Sequence, residues 1–152
     1  MTMRLPLKVE VLETSLTNLS LRFTTTNPTD GPLCVLPWYT PFEGMRSNCM
    51  EIAHKGESAQ YQGIMARRAA PTADMWVELA AGETLSKEVK LYHDSGFPLY
   101  SVEAGKKYSL RSVSGIRYHV GPKSTVKDDE AGQGTEVAEW EFSPVEFEVV
   151  EG

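Results

Sequence analysis

LKVEVLE at residues 7–13 and LSLRFTTT at 19–26 decide the fold class. In the first, Leu7, Val9 and Val11 share one face, and Lys8 and Glu10 the other. In the second, Leu19, Leu21 and Phe23 alternate with Ser20, Arg22 and Thr24. Successive side chains on a strand point to opposite sides of the pleat. A period of two therefore marks strands with one face in a core and one in water.

The same period recurs along the chain. NPTDGP at 27–32 is dense in turn formers, and LCVL at 33–36 reads as a short strand. CMEIAH at 49–54 places Met50 and Ile52 inward; KGES closes it and AQYQGI returns, which predicts a hairpin. MWVELAAGETLSKEVKL predicts two strands around Ala81-Gly82, with Val77 and Leu79, then Leu85, Val89 and Leu91, facing in. Tyr108, Leu110, Ile116, Tyr118 and Val120 continue the pattern, and VEFEVVE closes it with Val145, Phe147 and Val149. The nearest approach to a helical period, ESAQYQGIMARRAA, is interrupted by Gly63. About seven to nine short strands separated by turns predict one all-β domain over residues 1–152, an immunoglobulin-like antiparallel β-sandwich. GPKSTVKDDEAGQGTE at 121–136 reads as a mobile, polar, acidic loop inserted before the last strands.

The chain has 152 residues, 41% of them hydrophobic and 24% charged, which suits one domain with a core of its own. No apolar run approaches the roughly 18 residues of a membrane-spanning helix. MTMRLPLKVEVLE alternates like a strand and has no leader-like apolar block, so the expected location is cytoplasmic, or extracellular if a leader has been cleaved. The net charge of −6 is unevenly spread. Residues 128–152 hold nine Asp and Glu and no Lys or Arg, while the rest holds 15 Lys and Arg against 12 Asp and Glu. An acidic end argues against nucleic acid as a partner. Cys34 and Cys49 are read as two buried free thiols, with pairing across a hairpin-sized loop as the alternative.

The residues expected of a catalyst are missing from the pattern. There is no His-Glu-x-x-His helix, no Gly-x-Ser-x-Gly elbow and no phosphate-binding Gly loop. His54, His93 and His119 are far apart and read as surface histidines. HDSG at 93–96 reads as a turn, and Gly115 in SVSGI as a bulge. Neither cysteine has a partner at zinc-ligand spacing, so neither metal nor cofactor is expected. Arg67 and Arg68 either grip a carboxylate of a partner or form a local ion pair, for instance with Glu43 or Asp74.

Several motifs in order resemble one family. Thr26-Asn27 ends a strand. Trp38 precedes Thr40–Gly44, where Phe42 stands for the usual Leu. Tyr61 and Gly63 follow, then Arg67-Arg68 before Pro71-Thr72, Leu79 with Gly82-Glu83, and Gly105 with Tyr108. Over roughly residues 7–120 this is similar to the non-catalytic N-terminal domain of the deuterolysin and peptidyl-Lys metalloendopeptidase family of zinc endopeptidases. The resemblance implies an immunoglobulin-like sandwich and a propeptide role, folding with and restraining a catalytic domain. The family's catalytic half is not in this sequence, and the acidic stretch at 121–143 has no counterpart in the pattern.

The expectation is thus a non-catalytic protein-binding module, a propeptide-like inhibitor of a zinc endopeptidase, with oligomeric state open. The alternative is an interaction domain that binds another protein, or itself, through sheet edges or loops. Trp38, Pro41, Glu43 and Gly44 are expected to form a structural corner, with Phe42 clamping it. Tyr39, Phe42 and Met45 are the candidate exposed contact patch, Arg67 and Arg68 the candidate grip, and Lys123 and Lys127 the candidate bait for a Lys-directed peptidase.

Overall fold

The structure, a computed structural model, describes residues 3–68, 70–93, 97–126 and 136–151. The strands are β1 (Arg4–Glu13), β2 (Ser20–Thr26), β3 (Leu33–Leu36), β4 (Met50–His54), β5 (Glu57–Ser58), β6 (Val77–Leu79), β7 (Thr84–Lys90), β8 (Lys107–Val113), β9 (Ile116–Val120), β10 (Glu136–Glu141) and β11 (Val145–Glu148). They form a seven-stranded sheet ordered β6-β3-β9-β10-β1-β2-β7 and a four-stranded sheet ordered β11-β8-β4-β5. The fold is all-β, a sandwich of two sheets, as the alternation predicts.

Two features depart from expectation. The strands number eleven among the described residues rather than seven to nine, and β10 falls in the acidic stretch at 121–143, where the alternation predicts no strand. β8 continues into β9 through Ser114-Gly115, and β10 into β11 through residues 142–144. Gly115 is required at its bend. A Cβ there would stand 2.4 Å from the Ala138 carbonyl oxygen, so only glycine allows the backbones this close. The sheet is also not purely antiparallel. β1 lies parallel to β10, with Arg4 opposite Glu139, and a later parallel bridge joins Ser15 to Val150 in the same register. The other edge of β1 pairs antiparallel with β2.

The core carries the predicted faces. Leu7, Leu21, Phe23, Ile52, Leu79, Val89, Leu110, Ile116 and Phe147 are buried between the sheets. Val120, expected inward, is exposed at the end of β9. The hairpin after β4 turns earlier than expected, at Lys55 and Gly56, both with positive φ (49° and 84°). Its return strand is Glu57–Ser58. The stretch AQYQGI instead leaves the hairpin and runs beside residues 98–101, with Tyr61 bridged to Tyr100.

β3 is buried on both faces. Leu33 and Val35 face the main core, while Cys34 and Leu36 pack in a second cluster with Trp76 and Val126, against which Trp38 and Ala73 lean. Two short helical turns, Ala73–Met75 and Lys123–Thr125, supply that cover. Lys123, expected in a mobile loop, is therefore anchored. Its backbone N–H donates to Glu78 and its ammonium to the Asp74 carbonyl (3.2 Å). Lys127, the other expected bait residue, lies outside the described residues, as does most of the 121–136 stretch.

Candidate functional site: a braced segment beside the Trp38–Met45 corner

The corner begins where Pro37 stops β3. Thr40 caps the turn Pro41–Glu43: its Oγ1 accepts from the Phe42 N–H (3.1 Å) and its hydroxyl donates to the Pro37 carbonyl (2.6 Å). Gly44 leaves the turn with φ 86°, a conformation glycine adopts without strain. Tyr39 has φ 63° without being glycine. Its N–H donates to a carboxylate oxygen of Glu43 (2.7 Å), which holds the backbone in that uncommon region.

Glu43 also accepts from the Arg68 guanidinium, whose carbon lies 4.8 Å above the Trp38 ring. Arg68 thus makes a local ion pair, one of the two roles weighed for the basic pair. The side chains of Glu43 and Arg68 are only 9% and 19% exposed. Arg67 is exposed. Phe42, expected also in an exposed contact patch, is instead buried at 7%. The capped turn drives its ring between the sheets, edge-on to Phe23 (6.5 Å) and against Trp140 (5.6 Å). Met45 is half-buried against the core, and Tyr39 remains exposed.

The segment Gln62–Arg68, irregular in backbone, runs past this corner and is tied along its length. The Gln62 N–H donates to Leu99 (2.7 Å) and its side-chain amide to Pro98 (2.9 Å). The Ala66 N–H donates to Arg46 (2.8 Å), and Arg68 closes the far end on Glu43. Inside the segment the Tyr61 hydroxyl reaches forward to the Ile64 carbonyl. It does so directly across Gly63, where a Cβ would stand 2.5 Å from that hydroxyl. The Tyr61 ring rests on Tyr100 (5.2 Å), and burial pushes the phenol's pKa up, so it stays a donor at neutral pH. This explains why tyrosine and glycine occur two apart.

Ile64 and Met65 project from this framework, 58% and 71% exposed. Arg46 and Arg67 are exposed near them and have no ion-pair partner among the described residues. Beside them an open groove of about 440 Å³ is lined by Met45, Ile64, His93, Phe97 and Leu99. Sequence reasoning missed Ile64 and Met65 as surface features. The one available signal was two large apolar residues following Gly63 with no alternation to place them in a sheet.

The other expected groups are dispersed. His54 bonds the Lys107 carbonyl (2.7 Å), His93 stacks on Phe97 (4.6 Å) and His119 bonds Thr125 (2.8 Å). No group of three or more His, Cys, Asp or Glu side chains able to hold a metal occurs among the described residues. Cys34 and Cys49 are free and buried in separate clusters. Burial pushes the Cys49 thiol up to about 12, far from a nucleophile's range. Thr26-Asn27 and the Gly82-Glu83 turn, part of the same motif set, prove to bond each other. The two N–H groups of the buried Asn27 amide are shared among the carbonyls of Gly31, Leu79 and Ala80 (2.8–3.1 Å), and the Gly82 N–H donates back to the Asn27 carbonyl (3.0 Å).

The chain is similar to a protease. It is 25% identical over 133 residues to an extracellular protease of Aeromonas hydrophila, a match covering 88% of this chain and 37% of that protein. The chain thus spans little more than a third of the relative's length. No protein-family model matches. The similarity supports a protease-related chain. No described helix is long and apolar enough to cross a membrane.

Proposed function

We propose that this chain is a non-catalytic, protein-binding β-sandwich that associates with and restrains a zinc endopeptidase, in the manner of a propeptide. The observation that carries the reading is the protease match, which takes in almost the whole of this chain but leaves more than half of the relative without a counterpart. A domain that accounts for that share of a protease, built as a sandwich with dispersed histidines, suits a partner of the catalytic part better than the catalytic part itself. The resemblance to the N-terminal domain of deuterolysin-type endopeptidases agrees with it, and neither a cofactor nor a nucleic acid enters the proposal.

Pairing through the β7 edge of the larger sheet is the weaker alternative. Edge strand β7 carries Lys87 on the parity of Leu85 and Val89, with Lys90 and Glu88 beside it. Charges so placed on an edge oppose the addition of another strand. The test is a titration of the purified chain into the Aeromonas hydrophila extracellular protease and into a Lys-specific zinc endopeptidase, following substrate cleavage. Dose-dependent inhibition with the chain left intact is the expected result. Absence of inhibition, whether or not the chain is digested, would remove the proposal.

A further inference from the structure

We infer that the element inserted into the endopeptidase is the segment Gln62–Arg68, led by Ile64 and Met65, an assignment that rests on the function proposed above. A protein that blocks a peptidase cleft without being consumed needs a segment with two opposed properties. Its side chains must stand clear of its own body, so that they can fill the pockets of a cleft. Its backbone must be held, so that it neither adapts to the geometry of cleavage nor separates once strained. Pre-organisation also spares the ordering cost that a flexible segment would meet on binding.

Gln62–Arg68 has both. Met65 is the most exposed of the large apolar side chains among the described residues, and Ile64 beside it is also mostly exposed. The backbone around them is fixed at Gln62, Ile64 and Ala66, and the Arg68 side chain is fixed at the end, by bonds to four separate places: residues 98–99, Tyr61, Arg46 and Glu43. Aliphatic side chains on the surface of a soluble domain ordinarily gain nothing from such bracing. Here the bracing groups are themselves ordered: Tyr61 by Tyr100, and Glu43 by the Thr40-capped turn and the Tyr39 N–H. Lys123, by contrast, is fastened down on the cover of β3 and presents no free end to a cleft.

The flanking charges describe the partner. Arg46, whose carbonyl accepts from the Ala66 N–H, and Arg67 are both exposed near the apolar pair, while Arg68 is neutralised by Glu43. The surface fits a cleft with an apolar side-chain pocket bordered by carboxylates.

The experiment is inhibition of the Aeromonas hydrophila extracellular protease by the full chain, by the double variant Ile64→Asp/Met65→Asp and by Tyr61→Phe, with the melting temperature of each recorded. Removing both apolar anchors is expected to weaken inhibition at least thirtyfold, the scale of an interface centre, with the melting temperature unchanged because both side chains are in solvent. Tyr61→Phe keeps the ring but loses the bond to Ile64, and is expected to turn the segment into a substrate, with mass spectrometry finding a new cut between residues 62 and 68. If the wild-type chain inhibits and the double variant inhibits equally well, this segment is not the inserted element, and the broader function survives. If the wild-type chain does not inhibit, both fall.

Discussion

Replacing Glu43 by Gln tests whether the corner is held by charge or only by shape. The change keeps an acceptor for the Tyr39 N–H but strands the Arg68 guanidinium, whose side chain is 19% exposed. Removing one partner of a buried pair costs about 3–5 kcal/mol, and the remaining solvent contact of Arg68 places this case near about 3 kcal/mol. In a domain of this size each kcal/mol moves the unfolding midpoint by about 2–4 °C, so Glu43→Gln is expected to lower it by about 6–12 °C. Arg68→Met keeps apolar bulk over Trp38 and leaves Glu43 with the Tyr39 N–H, and is expected to cost about 2 kcal/mol. The double variant removes both charges and should cost less than the two together, with a coupling of about 1.5–3 kcal/mol. Thermal and urea unfolding followed by circular dichroism measure all three. Single variants that each cost under about 0.5 kcal/mol and add without coupling would show that the pair is a surface ornament and that Trp38 and Phe42 alone hold the corner.

The other expectations concern the scaffold. Gly115→Ala forces a Cβ against the Ala138 carbonyl and should destabilise by about 2–4 kcal/mol in urea unfolding; a neutral result would mean that the β8–β9 bend is looser than described. Asn27→Ala removes the side-chain donor to the Leu79 carbonyl in a buried site, while the Ala80 carbonyl keeps the Glu83 N–H, and should cost about 1–3 kcal/mol by the same assay. The Cys49 thiol, raised to about 12 by burial, holds its proton in the folded state at pH values where an unfolded thiol has lost it. Its contribution is therefore complete below about pH 8.5 and is lost as pH rises toward 12. Between pH 8 and 10.5 the wild-type chain should lose stability more steeply than Cys49→Ala. Ellman's reagent should meanwhile find two thiols in denaturant and neither quickly in the native chain, whereas prompt native reaction would refute the burial of both.

Alternation was enough to read the sandwich, because burying one face of a pleated strand leaves a trace at every second residue. Pro37, Pro41 and Gly44 break the pattern in turn and mark the corner, and the sequence offered Glu43 as one of two carboxylates for the basic pair, without saying that Arg68 is the one that takes it. The long-range attachments left no such trace. Lys123 sits in a polar stretch with the composition of a mobile loop, yet it is bonded to Asp74 and Glu78, and composition reports solubility, not tethering. Phe42 lies among turn formers, and only the Thr40 cap decides that its ring turns inward. Ile64 and Met65 look like core in one dimension. Their exposure follows from where the chain is tied on either side, at Arg46 and at residues 98–99, contacts distant in sequence.

The parallel pairing of β1 with β10 sets an order on how the chain can be finished. On a ribosome, β1 and β2 emerge early and can join at once as neighbours. The opposite edge of β1 must then wait for residues 139–141, about 135 positions later, before it is satisfied. Contacts that close so large a loop come late and fold slowly. Throughout that interval a nascent chain carries an open, partly apolar strand edge, the kind that recruits other strands. Yield on expression should therefore depend on temperature and chaperone supply far more than the stability of the finished domain would suggest. Substitutions in β10 should show themselves first as aggregation during synthesis.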